Sequence, residues 1–487
     1  MLFNSLAYLV FFPIVTTLYF LIPQRFRTFA LLVASSLFYM AFVPSYILIL
    51  AGTICVDFIA ARLIEKLTGR RRKFALGLSI AANVSVLAFF KYYTFLGNNI
   101  GTLGTLLHAN VLVPRLAILL PIGLSFHTFQ AMSYTIEVYR GRQKAETSFF
   151  TFALYVMFYP QLVAGPIERP QNLLRQFSER HQFDYTEAVA GLQRMAIGMF
   201  KKVVIADTLA KQVDLVYDAP AGITGLRLVL ATVMFSFQIY YDFSGYTDIA
   251  LGSAQVMGFR LMENFRTPYF SQSVGEFWRR WHISLSTWFK DYVYLPLGGN
   301  RVAPIRRSRN LMIVFLISGL WHGASWTFVA WGALHGLYVV IGMATSGLRQ
   351  RIYQLVGIPQ RIRKFAATLT TFSLVSVAWI FFRAANFVDA YYVVTHLFSG
   401  FGSDVASVLR GSPIPGLYRS TLLINSLLVA SATAIEYLTI ERCGTREVTI
   451  FRQTATPLRF AMYLFSVYAC VFVGASGGRQ QFIYFQF

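Results

Sequence analysis

Long apolar runs recur along the whole 487-residue chain. A helix needs about 18 or more predominantly apolar residues to cross a hydrocarbon core about 30 Å thick. Runs that approach or exceed this length lie at 3–22, 29–43, 45–63, 74–95, 114–136, 147–165, 187–210, 226–250, 311–342, 365–382, 421–440 and 458–476. Stretches such as 116–120 and 313–320 are apolar on every face, whereas the strands of a membrane β-barrel alternate in polarity. The sequence therefore predicts an all-α polytopic membrane protein.

The composition excludes the soluble fold classes. Hydrophobic residues make up 56% of the chain and charged residues 13%, and the mean hydropathy is +0.54. The charged fraction is roughly half that of soluble domains, so too few polar side chains remain to cover a water-facing surface. Disordered, collagen-like and ordinary globular proteins are therefore excluded.

The net charge of +22 comes from 43 Lys and Arg residues against 21 Asp and Glu residues. On a soluble protein this excess would indicate nucleic-acid binding. Here the short segments 65–73, 301–309 and 349–364 carry +4, +4 and +5, which is more than half of the total. Because Lys and Arg in short loops set the orientation of membrane proteins, we expect these loops to face the cytoplasm. No nucleic-acid partner is needed to explain the charge.

Two of these basic loops bracket the apolar run 311–342, so the chain must enter and leave that run on the same side. As one helix, its 32 residues would extend about 48 Å, too long for one span and too short for two. The sequence predicts a pair of shortened or re-entrant helices whose turn lies at membrane depth. Such backbone is tolerated there only where it lines a cavity or is buried in protein.

Between residues 251 and 310, Trp and Tyr alternate with charged residues at near-helical spacing. This pattern predicts amphipathic helices at the membrane interface, with aromatic rings at headgroup depth and charges toward water. Segment 166–186 has a similar character.

Histidine is scarce, and one of the seven lies midway along the expected hairpin. His322 is flanked there by Gly319 and Gly323. An ionisable side chain at membrane depth usually faces a cavity and marks a function, although a neutral imidazole bonded to a helix backbone is the simpler alternative. The glycines favour a catalytic role, because they let other backbone or a ligand approach the ring. The seven are His108, His127, His181, His282, His322, His335 and His396.

His282 follows the run WRRW at the edge of the expected amphipathic segment. Its residues alone favour an interfacial histidine over a catalytic one. Arg279 and Arg280 beside it are suited equally to a phosphate-bearing cofactor and to lipid headgroups. For His335, on the second arm of the hairpin, we expect a role in helix packing.

The acidic residues inside apolar runs do not form a catalytic pair. Asp242 and Asp248 are six residues apart and so lie on different helix faces. Pairing with an Arg or capping of a broken helix is the favoured role, and a proton relay is the alternative. Asp291 can hold an Arg, orient a histidine or simply end a helix. The scattered Cys55, Cys443 and Cys470 predict no metal site, and no serine-hydrolase, P-loop or zinc-protease motif is present.

The sequence resembles the membrane-bound O-acyltransferases, specifically the bacterial branch that acetylates alginate and other extracellular polysaccharides. The likeness covers nearly the whole chain and is most specific in WHISLS, DYVYLPLGG and GLWHG. The matching stretches are LPIGLSFHTFQAMSYTIEVYRG (120–141), FYPQLVAGPIER (158–169), YYDFSGYTDIALGSAQVMGF (240–259), ENFRTPYFSQSVGEFWRRWHISLSTWFKDYVYLPLGGNR (263–301), GLWHGASWTFVAWGALHG (319–336), WIFFRA (379–384) and FIYFQF (482–487).

The resemblance implies a ring of tilted transmembrane helices, with re-entrant and interfacial helices, around a thin central tunnel. The family's invariant histidine falls on His322 and the second histidine of this branch on His282, so both are expected to be catalytic. Around them we expect a substrate-binding set composed of Arg279, Arg280, Trp281, Asp291 and Trp321.

The resemblance further implies one integral-membrane domain over 1–487, with N-terminal helices in 1–110, a catalytic core in 111–345 and C-terminal helices in 346–487. We expect no bound cofactor or metal, acetyl-CoA as the acyl donor, and a multi-pass position in the bacterial inner membrane. The expected partners are membrane lipids, periplasmic acetyltransferase or acceptor proteins and a polysaccharide acceptor.

The expected function is acetyl transfer across the membrane, with His322 as a base or as a transient acetyl acceptor. The polymer stays open among alginate, cellulose, peptidoglycan and others. A secondary transporter or channel is the alternative, because broken helices and ionisable residues at mid-membrane depth also occur there. An inactive scaffold is the weakest reading, since both histidines are present.

Overall fold

The computed structural model describes residues 1–109, 113–114, 116, 120–163, 165–410, 419–442, 456–476 and 482–483. Every regular element in these ranges is helical, which confirms the all-α fold class. In these ranges, six helices are long and apolar enough to cross a membrane: Tyr46–Lys66, Gly69–Leu106, Trp326–Ala344, Gln360–Arg383, Leu423–Ile440 and Thr456–Gly474. The multi-pass membrane architecture is therefore confirmed.

The chain forms two compact units, of which the first comprises Met1–Met195 and Tyr246–Met262. One buried carboxylate in this unit is paired: that of Asp57 accepts hydrogen bonds from Ser79 Oγ at 2.6 Å and Asn83 Nδ2 at 2.9 Å. The helices of the N-terminal part are α1 Leu6–Leu21, α2 Gln24–Met40, α3 Tyr46–Lys66, α4 Gly69–Leu87, α5 Tyr93–Leu106, α6 Leu124–Tyr139, α7 Phe149–Met157, α8 Tyr159–Leu162, α9 Pro170–Ser178 and α10 Tyr185–Met199.

The second unit comprises Ala196–Gly245 and Glu263–Phe487, so the chain passes between the units inside α10, inside the long helix α12 and again after Met262. The helices that follow α10 are α11 Asp207–Tyr217, α12 Leu226–Val256, α13 Val274–Arg280, α14 Ile283–Phe289, α15 Pro304–His322, α16 Trp326–Ala344, α17 Ser346–Leu355, α18 Gln360–Arg383, α19 Phe387–His396, α20 Phe401–Leu409, α21 Arg419–Glu436 and α22 Thr456–Ser476. Short π-helical stretches interrupt the chain at Ala88–Tyr92, Phe200–Ala206, Lys290–Tyr294 and Tyr437–Arg442.

The apolar run 311–342 is a helical hairpin, as the sequence predicts. α15 and α16 have 19 residues each, about 28 Å long, and meet at a turn over 323–325. α15 begins earlier than the apolar run, inside the basic loop, because Pro304 fits the first turn of a helix. A membrane-depth position for the turn stays a prediction.

The two helices of this hairpin touch backbone to backbone. A Cβ atom built on Gly319 would overlap the carbonyl oxygen of Phe328, and one built on Gly332 would overlap the carbonyl oxygen of Phe315. Because no side chain separates the helices at these points, their register is fixed.

Two expectations about the apolar runs are wrong. The run 147–165 is not one spanning helix, because α7 ends at Met157 and α8 begins anew around Pro160, which fits only the first turn of a helix. In the aromatic segment 251–310, the rings of Trp281 and Trp288 do not lie at a headgroup surface, because both are buried among protein side chains. For the partly exposed Trp278, Tyr292 and Tyr294 the interfacial position stays a prediction. The run at 114–136 and the terminal stretch 482–487 lie partly outside the described residues.

Substitution of Gly319 by alanine tests the backbone contact between α15 and α16. We expect Gly319→Ala to lower the stability of the folded protein by about 1–3 kcal/mol, because the helices must separate to admit the Cβ atom. Thermal unfolding of the detergent-purified protein measures this. Gly342→Ala, on α16 with nothing within 4 Å of the new atom, is the matched control. Equal melting temperatures for the two variants would contradict the close contact.

Candidate active site

His322 is the last residue of α15, and 4% of its surface is exposed. Its ring meets three aromatic side chains edge to face, with centroid separations of 4.9 Å to Trp321, 4.9 Å to Trp331 and 5.4 Å to Phe382. The carbonyl end of a helix carries a partial negative charge, which favours a histidine that takes up a proton. The imidazole of His322 thus lies at the C-terminal end of α15, surrounded by aromatic rings.

The glycines beside His322 serve helix packing. A Cβ atom on Gly323 would overlap the ring of Phe328, and Gly319 is occupied by the Phe328 carbonyl oxygen. Of the two roles that the sequence left open for these glycines, close approach of protein is confirmed, and the space is filled by Phe328 rather than left for a ligand.

His282 lies between α13 and α14 and is fully buried. Its backbone has φ 42° and ψ 55°, in the left-handed region that residues other than glycine rarely adopt. Such a conformation costs on the order of 1–3 kcal/mol and persists only when neighbours hold it. The interfacial position that the sequence favoured for His282 is therefore wrong, because the ring has no exposed surface.

Asn264 holds the strained turn at His282. Its backbone carbonyl oxygen accepts a hydrogen bond from Ile283 N at 2.9 Å, and its side-chain Oδ1 accepts one from Ser284 Oγ at 2.7 Å. Asn264 was not singled out from the sequence, because it lies 18 residues before His282 and the contact is made only in the fold. Its place in the motif ENFRTP was the only available signal.

Trp321 brings the two candidate catalytic histidines into one site. Its ring lies 4.9 Å from that of His322 and 6.1 Å from that of His282, both edge to face. Phe243 closes the other side of His282 at 4.8 Å. The expected grouping of His282, His322 and Trp321 is thus present in the fold, and their catalytic and binding roles stay predictions.

The remaining residues of the expected binding set differ in burial and in the contacts that they make. Trp281 is buried against Phe277 and Trp379, at 5.4 Å and 5.1 Å, as part of an aromatic core. Arg280 forms an ion pair of 2.8 Å with Glu276 one turn earlier. Arg279 is exposed, and Asp291 is half-buried in the π-helical turn Lys290–Tyr294. Roles in substrate binding for these four residues stay predictions.

Asp242 and Asp248 each pair with a base, and they do not form a dyad. Asp248 accepts from Arg194 Nε at 3.0 Å, as the sequence favoured. Asp242 instead pairs with Lys202 at 2.7 Å and accepts from the backbone N–H of Ile483 at 2.8 Å. Lys202 also contacts Asp207 at 2.6 Å. Lys202 was missed because it lies 40 residues from Asp242.

A cavity of about 500 Å³ lies apart from the histidines in the second unit. α12 and α21 supply most of its apolar lining, including Val233, Phe237, Val429 and Ala430. No residue of the expected catalytic or binding set lines this cavity.

The chain belongs to the membrane-bound O-acyltransferase family, whose family model matches residues 83–352. It is 40% identical to the "Probable alginate O-acetylase AlgI" of Pseudomonas putida, over 88% of this chain and 87% of the relative. It is 33% identical to the "Peptidoglycan O-acetyltransferase" of Helicobacter pylori, over 89% and 86%. A "Teichoic acid D-alanyltransferase" of Streptococcus thermophilus is 31% identical over 46% of this chain and 57% of the relative.

These matches confirm the expectation of a membrane-bound O-acyltransferase. They give no support to the alternative of a transporter or channel without acyl chemistry, nor to an inactive scaffold. The motifs GLWHG and WHISLS, which the sequence analysis identified, are the stretches that carry His322 and His282 in the fold.

Removal of the Asn264 amide tests how the His282 turn is held. We expect Asn264→Ala to cost about 1–3 kcal/mol of stability, because Ser284 loses a buried acceptor. Thermal unfolding in detergent measures the loss. Asn300→Ala removes an exposed hydrogen bond with Tyr294 and is expected to stay within about 0.5 kcal/mol of the wild type. A melting temperature unchanged in the Asn264 variant would contradict the anchoring role.

Proposed function

We propose that this protein transfers an acetyl group from cytoplasmic acetyl-CoA to hydroxyl groups of an extracytoplasmic polysaccharide, and that it works in the bacterial inner membrane. The observation that carries the proposal is the pair of buried histidines that both contact the ring of Trp321, with His322 at the end of α15. The names of the two relatives matched over most of their length, an alginate O-acetylase and a peptidoglycan O-acetyltransferase, support acetyl as the group and a carbohydrate polymer as the acceptor.

In the proposed reaction His322 is the general base. One ring nitrogen takes the proton of the acceptor hydroxyl while the hydroxyl oxygen attacks the thioester carbonyl carbon. The carbon–sulfur bond then breaks, and the leaving thiolate receives the proton from the imidazolium. Alternatively, the neutral imidazole attacks the thioester carbonyl and the carbon–sulfur bond breaks, so that the acetyl group is held on the ring nitrogen and the thiolate leaves. The acceptor hydroxyl oxygen then attacks this acetyl group, the nitrogen–carbon bond breaks, and the hydroxyl proton goes to the released thiolate. A positioned base contributes about 10²–10⁴-fold to the rate.

The aromatic enclosure suits this chemistry because it excludes water. The rings of Trp321, Trp331 and Phe382 border His322, and only 4% of the surface of His322 is exposed. Exclusion of water from a closed site prevents hydrolysis of a reactive acyl group. We assign His282 to placing the donor or assisting proton transfer, held by Asn264.

The direction of α15 supports entry of the donor from the cytoplasm. Arg306, Arg307 and Arg309 lie near its beginning and His322 at its end, about 20–24 Å further along the axis. The expected cytoplasmic loop 301–309 would meet the phosphates of acetyl-CoA, because guanidinium groups bind phosphate oxygens strongly. Acetyl would then reach the acceptor, or a periplasmic protein that passes it on, from the opposite face.

Removal of the His322 imidazole is the direct test. We expect His322→Ala to lower acetyl transfer about 10²–10⁴-fold without loss of membrane expression, because the site loses its base. Membranes that contain the protein are given radiolabelled acetyl-CoA and polysaccharide, and labelled polymer and released thiol are measured. His396→Ala, at the end of α19, is the control. Full turnover in the His322 variant would refute its role, and solute uptake without acetyl transfer would favour a transporter.

His282 is tested with a variant that tolerates its backbone. Asn adopts the left-handed conformation more readily than most residues, so His282→Asn should fold. We expect a higher KM for acetyl-CoA if the ring places the donor, and a lower kcat, by about 10²-fold or more, if it assists proton transfer. Steady-state kinetics of the purified protein separate the two. Wild-type kcat and KM in a folded His282→Asn protein would exclude both roles.

A further inference from the structure

His335 makes one side-chain hydrogen bond that connects two parts of the candidate site. It lies on α16 and is fully buried, and its Nδ1 accepts a hydrogen bond from Trp278 Nε1 at 3.2 Å. Because an acceptor nitrogen carries no proton, the neutral ring must hold its proton on Nε2. Within the described residues Nε2 has no hydrogen-bond partner. Trp278 is therefore the polar contact that orients this ring.

This hydrogen bond joins the segments that carry the two candidate catalytic histidines. Trp278 lies on α13, and two residues after α13 ends comes His282. His335 lies on α16, which is locked to α15 and His322 by the glycine contacts of the hairpin. The bond thus connects the element before His282 to the hairpin that ends in His322.

The ring of Trp331 contacts both His335 and His322, and so links this hydrogen bond to the His322 ring. Trp331 is one helical turn before His335, and their rings meet at 4.9 Å. The same indole meets His322 edge to face at 4.9 Å and Trp278 at 5.6 Å. A change in the Trp278–His335 contact must therefore move a ring that touches His322.

We infer that His335 is a positioning residue: through its hydrogen bond to Trp278 it sets the spacing between the α13–α14 turn that holds His282 and the hairpin that holds His322. The rings of Phe277 and Phe315 lie roughly parallel to His335 at 6.2 Å and 6.3 Å, and they would hold a phenylalanine there equally well. Filling the space does not require a histidine, whereas accepting the indole N–H does. This assignment rests on the proposed acetyl transfer for its kinetic test.

The kinetic test uses variants that keep the ring and remove one end of the bond. We expect His335→Phe and Trp278→Phe each to lower kcat about 10- to 100-fold with KM for acetyl-CoA changed by no more than about twofold, because the reacting groups are misplaced. The double variant should lose no more than the worse single variant, since both remove the same bond. Trp326→Phe, at an exposed indole on α16, is the control.

His335→Asn supplies the rescue. The Asn Oδ1 occupies nearly the position of imidazole Nδ1 and accepts the same hydrogen bond, so we expect kcat within about threefold of the wild type. A purely structural histidine predicts the reverse order, because Phe preserves the apolar volume and Asn does not. Wild-type kcat in His335→Phe, additive losses in the double variant, or no rescue by Asn would overturn the inference.

Hydrogen–deuterium exchange gives a readout that does not depend on activity. In the purified protein, we expect faster exchange of amides in 274–289 for His335→Phe and Trp278→Phe, and wild-type exchange for His335→Asn. Unchanged exchange in both single variants would overturn the positioning role. If the wild-type protein shows no acetyl transfer, the proposed function is refuted. The exchange measurement would still show whether His335 holds the segment 274–289 in place. If His335→Phe fails to fold, Trp278→Phe, which keeps the buried histidine, carries both measurements.

Discussion

The direct contact between the backbones of α15 and α16 determines where the candidate catalytic groups lie. Gly319 and Gly332 each face a carbonyl oxygen of the other helix, so neither helix can slide or turn without collision. With the register fixed, Trp331 falls against the ring of His322, and His335 lies one turn further along the same face. The contacts of His322 and His335 with Trp331 therefore depend on this pair of helices.

The surroundings of the two histidines are aromatic rather than ionic. Six of the rings that border His282, His322 and His335 come from Trp and Phe residues on α12, α13, α15, α16 and α18, and edge-to-face contacts between such rings have preferred geometries. Lys202 of the same unit is paired with Asp242 and Asp207. The aromatic rings form rigid walls against which the imidazoles of the site pack.

The sequence was sufficient for the fold class and for the hairpin, because both depend on local properties. Runs of apolar residues report helix spans directly, and the basic loops on either side of 311–342 require a return of the chain. The sequence also singled out His322 as a candidate, since a scarce ionisable group stands out in an apolar chain, whereas His282 became a candidate through the family resemblance. The sequence predicted that Trp281 and Trp288 lie at the membrane interface, whereas both are buried in protein. A mixed aromatic and charged pattern shows that a segment has an apolar and a polar face, but it does not show whether lipid or protein covers the apolar face. Asn264, Trp331 and Lys202 were missed because their importance arises from contacts between residues far apart in the chain.

The helix α15 has a basic end and a histidine end, and no loop lies between them. Each residue in a helix advances the chain about 1.5 Å and turns it about 100°, so its length and its angular phase change together. Insertion of one residue between Arg309 and His322 would displace the imidazole along the axis and also swing it away from Trp331. Only the insertion or deletion of close to a whole helical turn would point the imidazole toward Trp331 again, and it would shift the imidazole along the helix axis by about 5.4 Å. The number of residues in this helix therefore fixes both the distance of His322 from the basic end and the direction in which its ring points. We expect that number to be conserved in evolution even where the apolar side chains are exchanged.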